Sequence, residues 1–174
     1  MTGMADAWHT GFVVASVEET IAAWSGVLDT AWTPVQEYTA RLRTPDGLLD
    51  ADMRLAFTRD GPHRLEIIEP VPDSIWQTPA GRSGPSTAHH IAFWTDDLAG
   101  TAERMAAVGA ALLVTGYDGT DSLHNFTYHR LPDGTIVESV DARARRAFER
   151  WFAGGPFPRA RPRRDEQRGS SSAQ

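Results

Sequence analysis

The sequence predicts an α+β fold in which two βαβββ repeats form one curved, cup-like mixed sheet around a metal or ligand cavity. Three observations predict it. The segment His9-Thr-Gly-Phe-Val-Val-Ala-Ser-Val17 is echoed by His90-Ile-Ala-Phe-Trp-Thr-Asp-Asp-Leu98, each a short β-prone run that opens on a histidine. Each copy is followed by one helical and then several strand-like stretches in the same order. A stretch rich in Pro, Gly, Ser and Thr separates the copies.

In the first copy (residues 1–69) the run from His9 meets Ala15-Ser16, and in the second (89–141) the run from His90 meets Asp96-Asp97. Such side chains accept hydrogen bonds from the open N–H groups of a helix start. Val17, Ile21, Trp24 and Leu28 then recur at helical spacing, as do Leu98, Ala102, Met105 and Val108. Strands are expected over 35–43, 52–58 and 64–69, parted by Pro45-Asp46-Gly47 and Asp60-Gly61-Pro62. Their counterparts are 111–115, 123–129 and 135–140, parted by residues 117–121 and Pro132-Asp133-Gly134. Residues 70–88 read as linker, 142–155 as a C-terminal helix carrying Phe148, Trp151 and Phe152, and 156–174 as a disordered tail. A four-strand half leaves its edges unpaired, so the two halves are expected to fold as one unit. Met53, Leu55 and Phe57 alternate with Asp52, Arg54 and Ala56, and Leu65 and Ile67 with Arg64, Glu66 and Ile68. One face is therefore expected to pack on the helices and the other, polar face to surround a ligand.

Composition narrows the chemistry. Cysteine is absent, which excludes disulfides, thiolate nucleophiles, iron–sulfur clusters and sulfur-ligated zinc. All 17 basic residues are Arg, so a lysine Schiff base is excluded as well. Against them stand 23 acidic residues, for a formal charge of -6, and the positive charge gathers near the C-terminus; nucleic acid is not an expected partner. No apolar run approaches the roughly 20 residues of a membrane span, and residues 1–6 lack the start of a secretory signal, so a cytoplasmic protein with no membrane partner is expected.

Glu66 and Glu138 sit mid-strand at matching places in the two repeats, where an inward carboxylate is costly unless it pairs or binds a metal. His9 and His90 form a second matching pair. Repeat symmetry relates these four by a pseudo-twofold axis and gathers them around one point. Two imidazoles and two carboxylates suit a divalent Zn, Mn, Fe, Co or Ni ion. Such an ion would act as a Lewis acid toward a substrate with two neighbouring oxygens, stabilising negative charge as a proton leaves the carbon beside a carbonyl. His89 breaks register with His9 and is expected on the opposite face. His63 is expected in solvent, and of His124 and His129, on opposite faces of one strand, at most one faces the cavity. Trp8, Trp32, Trp76 and Trp94 are expected mainly in the core.

The segments Trp8-His-Thr-Gly-Phe-Val-Val, Arg64-Leu-Glu-Ile-Ile-Glu-Pro70, His89-His-Ile-Ala-Phe-Trp-Thr-Asp-Asp-Leu98 and Leu131-Pro-Asp-Gly-Thr-Ile-Val-Glu138 resemble the vicinal oxygen chelate superfamily, the glyoxalase and bleomycin-resistance fold. The resemblance spans about Trp8 to Asp141, and the Glu-Ile-Ile-Glu-Pro and His-His-Ile-Ala segments look most like methylmalonyl-CoA epimerase and its relatives. It implies one divalent metal ion held by His9, Glu66, His90 and Glu138, and an isomerisation, epimerisation or lyase step through a metal-stabilised enolate. Glu138 would act as base, and Asp50 falls near the place of a second acid/base. A small-molecule substrate and a homodimer are the implied partners. The same resemblance leaves two alternatives open, a drug-sequestering binding protein and an extradiol-type dioxygenase.

Overall fold

The computed structural model describes residues 7–77 and 87–158. The start of the chain, the middle of the expected linker and the tail beyond 158 lie outside the described residues. The order is β1 (Ala7–Val13), α1 (Val17–Leu28), β2 (Gln36–Thr44), β3 (Gly47–Phe57), β4 (Arg64–Ile68), β5 (Thr87–Thr95), α2 (Leu98–Ala107), β6 (Ala111–Gly116), β7 (His124–Arg130), β8 (Ile136–Asp141) and α3 (Arg145–Phe152). Both repeats thus run βαβββ, and β3 begins five residues before its expected start because its hairpin with β2 continues to the turn at Gly47.

Helix starts follow the predicted chemistry. Ser16 Oγ accepts from the Glu19 N–H and Asp97 Oδ1 from the Gly100 N–H, each filling an otherwise open donor. α1 is strapped to the sheet by Arg54, which reaches Glu18 on the helix together with Glu37 on β2 and Glu69 just beyond β4. No helix among the described residues is long and apolar enough to cross a membrane.

The eight strands close in the order β1-β4-β3-β2-β6-β7-β8-β5. Closure at one seam is the β1–β5 pairing, and at the other a short β2–β6 ladder of Leu42 with Gly116 and Arg43 with Thr115. Each repeat returns its last strand to lie parallel beside its first, β4 against β1 and β8 against β5. The four strands β4, β1, β5 and β8 are therefore contiguous, with the pseudo-twofold between β1 and β5.

The interior corrects the expectation of a polar concave face. Met53, Leu55, Phe57 and Ile68 point inward with Trp8, Trp94 and Tyr128, while Ala56 and Ile67 turn outward to pack with Val14 and Val17 on the α1 side. Residue alternation defines two faces; it does not say which one the helix covers. With the interior apolar, α3 finds a partner there: Phe148, Trp151 and Phe152 pack against Trp8 and Phe57, with ring centroids 5.4 Å apart for Trp8 and Phe148 and 5.6 Å for Phe57 and Trp151. Arg59 Nε donates to the Phe152 carbonyl at 2.8 Å and the Arg64 guanidinium lies 4.0 Å above its ring. Phe157, assigned to the tail by composition, packs between Trp151 and Tyr38 at 4.8 and 5.3 Å, so the packed chain runs past Gly155.

Candidate metal centre

His9 projects from β1, Glu66 from β4, His90 from β5 and Glu138 from β8, and the four meet inside the barrel. Register explains the meeting. Glu66 lies opposite Gly11 and Glu138 opposite Ala92, in each case the residue two beyond the histidine of the same repeat. Across the pseudo-twofold, His9 pairs with Ala92 and His90 with Gly11. Each imidazole therefore faces the small residue of the other repeat. At Gly11 this is mandatory, since a Cβ there would fall 1.9 Å from His90 Cε1. The His-x-Gly and His-x-Ala spacings carried this signal in the sequence, where only the histidines were singled out.

His9 Nε2 lies 2.9 Å from His90 Nε2, 3.3 Å from Glu66 Oε2 and 3.1 Å from Glu138 Oε2. His90 Nε2 lies 3.2 and 3.4 Å from the same two oxygens. All four residues are buried, the histidines to 2% exposure. Glu66 Oε2 and Glu138 Oε2 are buried and have no partner other than the two imidazole nitrogens, at 3.1–3.4 Å. Donors bound to one ion by bonds of about 2.1 Å stand about 3.0 Å apart at right angles and about 3.4 Å apart at the tetrahedral angle. The observed separations span that interval, so the residues present fit a divalent cation. Among the described residues His9, His90 and Glu138 form the compact donor set, and Glu66 Oε2 lies beside it at 3.3 and 3.2 Å from the two imidazoles.

Electrostatics agree with the fit. Burial would strip His90 of its proton, but hydrogen bonding and charge from Glu138 and Glu66 outweigh it and raise its pKa to about 9. His9 is raised by the same balance. Burial pushes Glu138 up and the two imidazoles outweigh it, holding the carboxyl at about 2; Glu66 is lowered likewise. A divalent cation, two neutral imidazoles and two carboxylates would sum to zero charge, so a cation here would balance the two buried carboxylates.

Aromatic rings wall the cluster. Trp8 meets His9 edge-on at 4.1 Å and stacks on Trp94 at 4.3 Å, and Tyr128 meets His90 at 5.0 Å. Burial, then the charges of Glu138 and Glu66, keep the Tyr128 phenol protonated. A cleft of about 250 Å³ opens between α3 and the barrel rim, lined by Trp8, Trp94, Arg64, Arg145, Phe148 and Phe152. Trp8 thus touches both this cleft and His9. A groove of about 340 Å³ between α2 and β6 contains none of the four donors.

Other sequence-singled residues fall elsewhere. Asp50 does not join the cluster: Ala51 and Met53 take the inward positions of β3, leaving Asp50 exposed on the outer face in an ion pair with Arg41. That guanidinium holds the Asp50 carboxyl below its usual range. His63 bonds Thr10 at the surface, His124 pairs with Asp118, and His129 is buried beneath α2. Trp32 packs on the α1 side, and Trp76 meets Tyr128 at 5.3 Å. His89, expected on the opposite face, lies with its Nδ1 3.1 Å from His90 Nδ1.

Against known families, the model described as the Glyoxalase/Bleomycin resistance protein/Dioxygenase superfamily matches residues 8–128. No curated protein sequence matches the chain. Among solved structures, a hypothetical protein from Bacillus halodurans is similar at 17% identity and TM-score 0.55, covering 78% of this chain and 92% of its own. A Streptomyces coelicolor methylmalonyl-CoA epimerase variant in complex with 2-nitronate-propionyl-CoA aligns at 18% identity and TM-score 0.52, covering 78% and 96%. The Mycobacterium tuberculosis methylmalonyl-CoA epimerase aligns at 15% and 0.53, covering 81% and 92%. At these identities the likeness is one of fold.

Proposed function

Because the chain belongs to the glyoxalase, bleomycin resistance protein and dioxygenase superfamily, we propose that it is a divalent-metal-dependent enzyme that moves a proton on the carbon beside a carbonyl. The reaction class is isomerisation, epimerisation or a related lyase step on a small substrate with two adjacent oxygens. The observation that carries this reading is the meeting of two buried imidazoles 2.9 Å apart, each 3.1–3.4 Å from both buried carboxylates.

His9, Glu66, His90 and Glu138 would hold the cation. When bound, it supplies Lewis-acid stabilisation of the negative charge that develops on the substrate oxygens. Glu138 receives the proton: its carboxyl is ionised at neutral pH, the form a base requires. A carboxylate beside a cation is a weak base, so the substrate carbon must be acidified by the same cation for transfer to proceed. The rings of Trp8, Phe57, Trp94 and Tyr128 keep water from the cluster and strengthen each charge interaction within it. Asp50 is too exposed and too committed to Arg41 to act as the second acid/base, which favours a single base at Glu138.

Metal analysis of protein purified without chelator, with turnover measured before removal and after restoration of the metal, is the direct test. Solvent deuterium exchange at the substrate carbon, on 2-substituted acyl thioesters and α-hydroxy ketones, assigns the base. Glu138→Gln should retain part of the metal and lose exchange, whereas Asp50→Asn should match the wild type. Full exchange in Glu138→Gln refutes the base assignment, and absence of stoichiometric metal refutes the centre.

A further inference from the structure

We propose that His89 is a positioning residue that fixes the ring proton of His90 on Nδ1 and so presents His90 Nε2 to the cation as a lone pair. This rests on the metal reading above and extends it to a residue outside the donor set.

The argument is an accounting of ring hydrogens. His89 Nε2 lies 2.8 Å from the Ile75 carbonyl oxygen, which can only accept, so His89 Nε2 carries a hydrogen. The other ring nitrogen, Nδ1, lies 3.1 Å from His90 Nδ1, and between two nitrogens in contact one must donate. A neutral imidazole has one N–H. With the His89 hydrogen committed to Ile75, His89 Nδ1 is the acceptor and His90 Nδ1 the donor. In the neutral form that a cation ligand requires, the one hydrogen of His90 is thus on Nδ1 and Nε2 is bare, and it is Nε2 that stands 2.9 Å from His9 Nε2 and 3.2 and 3.4 Å from the carboxylates. The opposite tautomer would place a hydrogen where the four donors converge.

The relay ends on a braced carbonyl. Ile75 belongs to a turn after β4, assigned to the linker by its composition, in which Ser74 Oγ donates to the Val71 carbonyl and accepts from the Trp76 N–H. Trp76 packs edge-on against Tyr128, which in turn meets His90. The segment joining the two repeats thus orients a donor of the second. His9 has no such arrangement: its Nδ1 is buried without a hydrogen-bond partner. Protein partners on the outer nitrogen of a ligating imidazole set its tautomer and basicity, and their loss costs about 10- to 100-fold in metal affinity.

The test uses zinc as the probe. In the zinc-loaded wild type, long-range proton–nitrogen correlation spectra should show hydrogens on His90 Nδ1 and His89 Nε2. Zinc affinity, measured by competition with a chromophoric chelator, should fall about 10- to 100-fold in His89→Phe, which keeps ring volume but neither nitrogen. His89→Asn, whose amide oxygen reaches the place of Nδ1, should recover most of that loss. His89→Gln, whose amide reaches toward Ile75, should not. Zinc-free melting curves separate folding from binding, and should His89→Phe fail to fold, the Asn and Gln variants decide between the outcomes. Equal zinc affinity in those two, or in His89→Phe and wild type, overturns the proposal, as does a hydrogen found on His89 Nδ1. A wild type that binds no zinc, manganese or cobalt overturns the metal reading itself, a result separable from loss of the tautomer lock alone.

Discussion

Replacing Gly11 by Ala adds one methyl group and tests how tightly the barrel wall defines the cluster. Its Cβ would sit 1.9 Å from His90 Cε1, 2.4 Å from Nδ1 and 2.6 Å from Nε2. Carbon atoms in favourable contact lie at about 3.5 Å, so the ring must retreat by about 1.6 Å. Metal–ligand distances tolerate about 0.2 Å, and a retreat of that size takes His90 out of the donor set. The loss of one direct ligand should exceed the roughly 100-fold upper range for outer partners. Overpacking a buried site costs about 1–3 kcal/mol, and in a domain of this size each kcal/mol lowers the melting temperature by about 2–4 °C. The expected outcome is a metal-free melting point lower by about 2–12 °C together with loss of stoichiometric binding in a metal titration. Gly26→Ala, where an added Cβ meets nothing within 4 Å, is the control and should bind as wild type does. Wild-type metal affinity in Gly11→Ala would refute the packing argument and the ring placement on which it depends.

Two further outcomes are expected. Since His90 and His9 are raised and must lose protons for a cation to bind, apparent metal affinity should climb from pH 7 to about 9, by about tenfold per pH unit for each proton displaced, and then level off. The metal-free fold should show the opposite sign: a raised histidine contributes stability fully present below its unfolded value of 6.5 and lost as pH rises through about 9. Flat affinity over this window in a pH series of titrations counts against the assigned donors. Separately, Phe157→Ala and truncation after Gly155 should each destabilise the fold by about 1–2 kcal/mol in denaturant melts, because the ring lies between Tyr38 and Trp151. An unchanged midpoint would show that this contact contributes nothing.

The fold and the convergence of His9, Glu66, His90 and Glu138 were legible because the repeat is written twice. A histidine at the head of a strand says little, but His9 and His90 in one register, each followed by a glutamate on the strand that returns beside it, specify a point in space. Single-copy features were harder to read. The inward face of β3 and β4 could not be assigned from alternation, because Met53, Leu55 and Phe57 would have suited an outer helix as well as they suit the aromatic rings of α3. Asp50 was misplaced for a related reason: its face depends on a hairpin register that no second copy repeats. His89 has no counterpart in the first repeat, and its contact with the Ile75 carbonyl depends on a turn whose composition marks it only as connection.

Strand adjacency has a thermodynamic consequence. The cluster draws one donor from each of the neighbouring strands β4, β1, β5 and β8, and even the two nearest in sequence, Glu66 and His90, belong to different repeats. The unfolded chain therefore offers no local chelate, and neither repeat alone can supply more than half the set. A cation held this way discriminates fully between folded and unfolded chains, adding about 2.7 kcal/mol of stability when its free concentration is 100 times its dissociation constant. Such a centre fastens the two halves of the barrel along the seam between β1 and β5, as a cross-link that forms only after both halves have found each other.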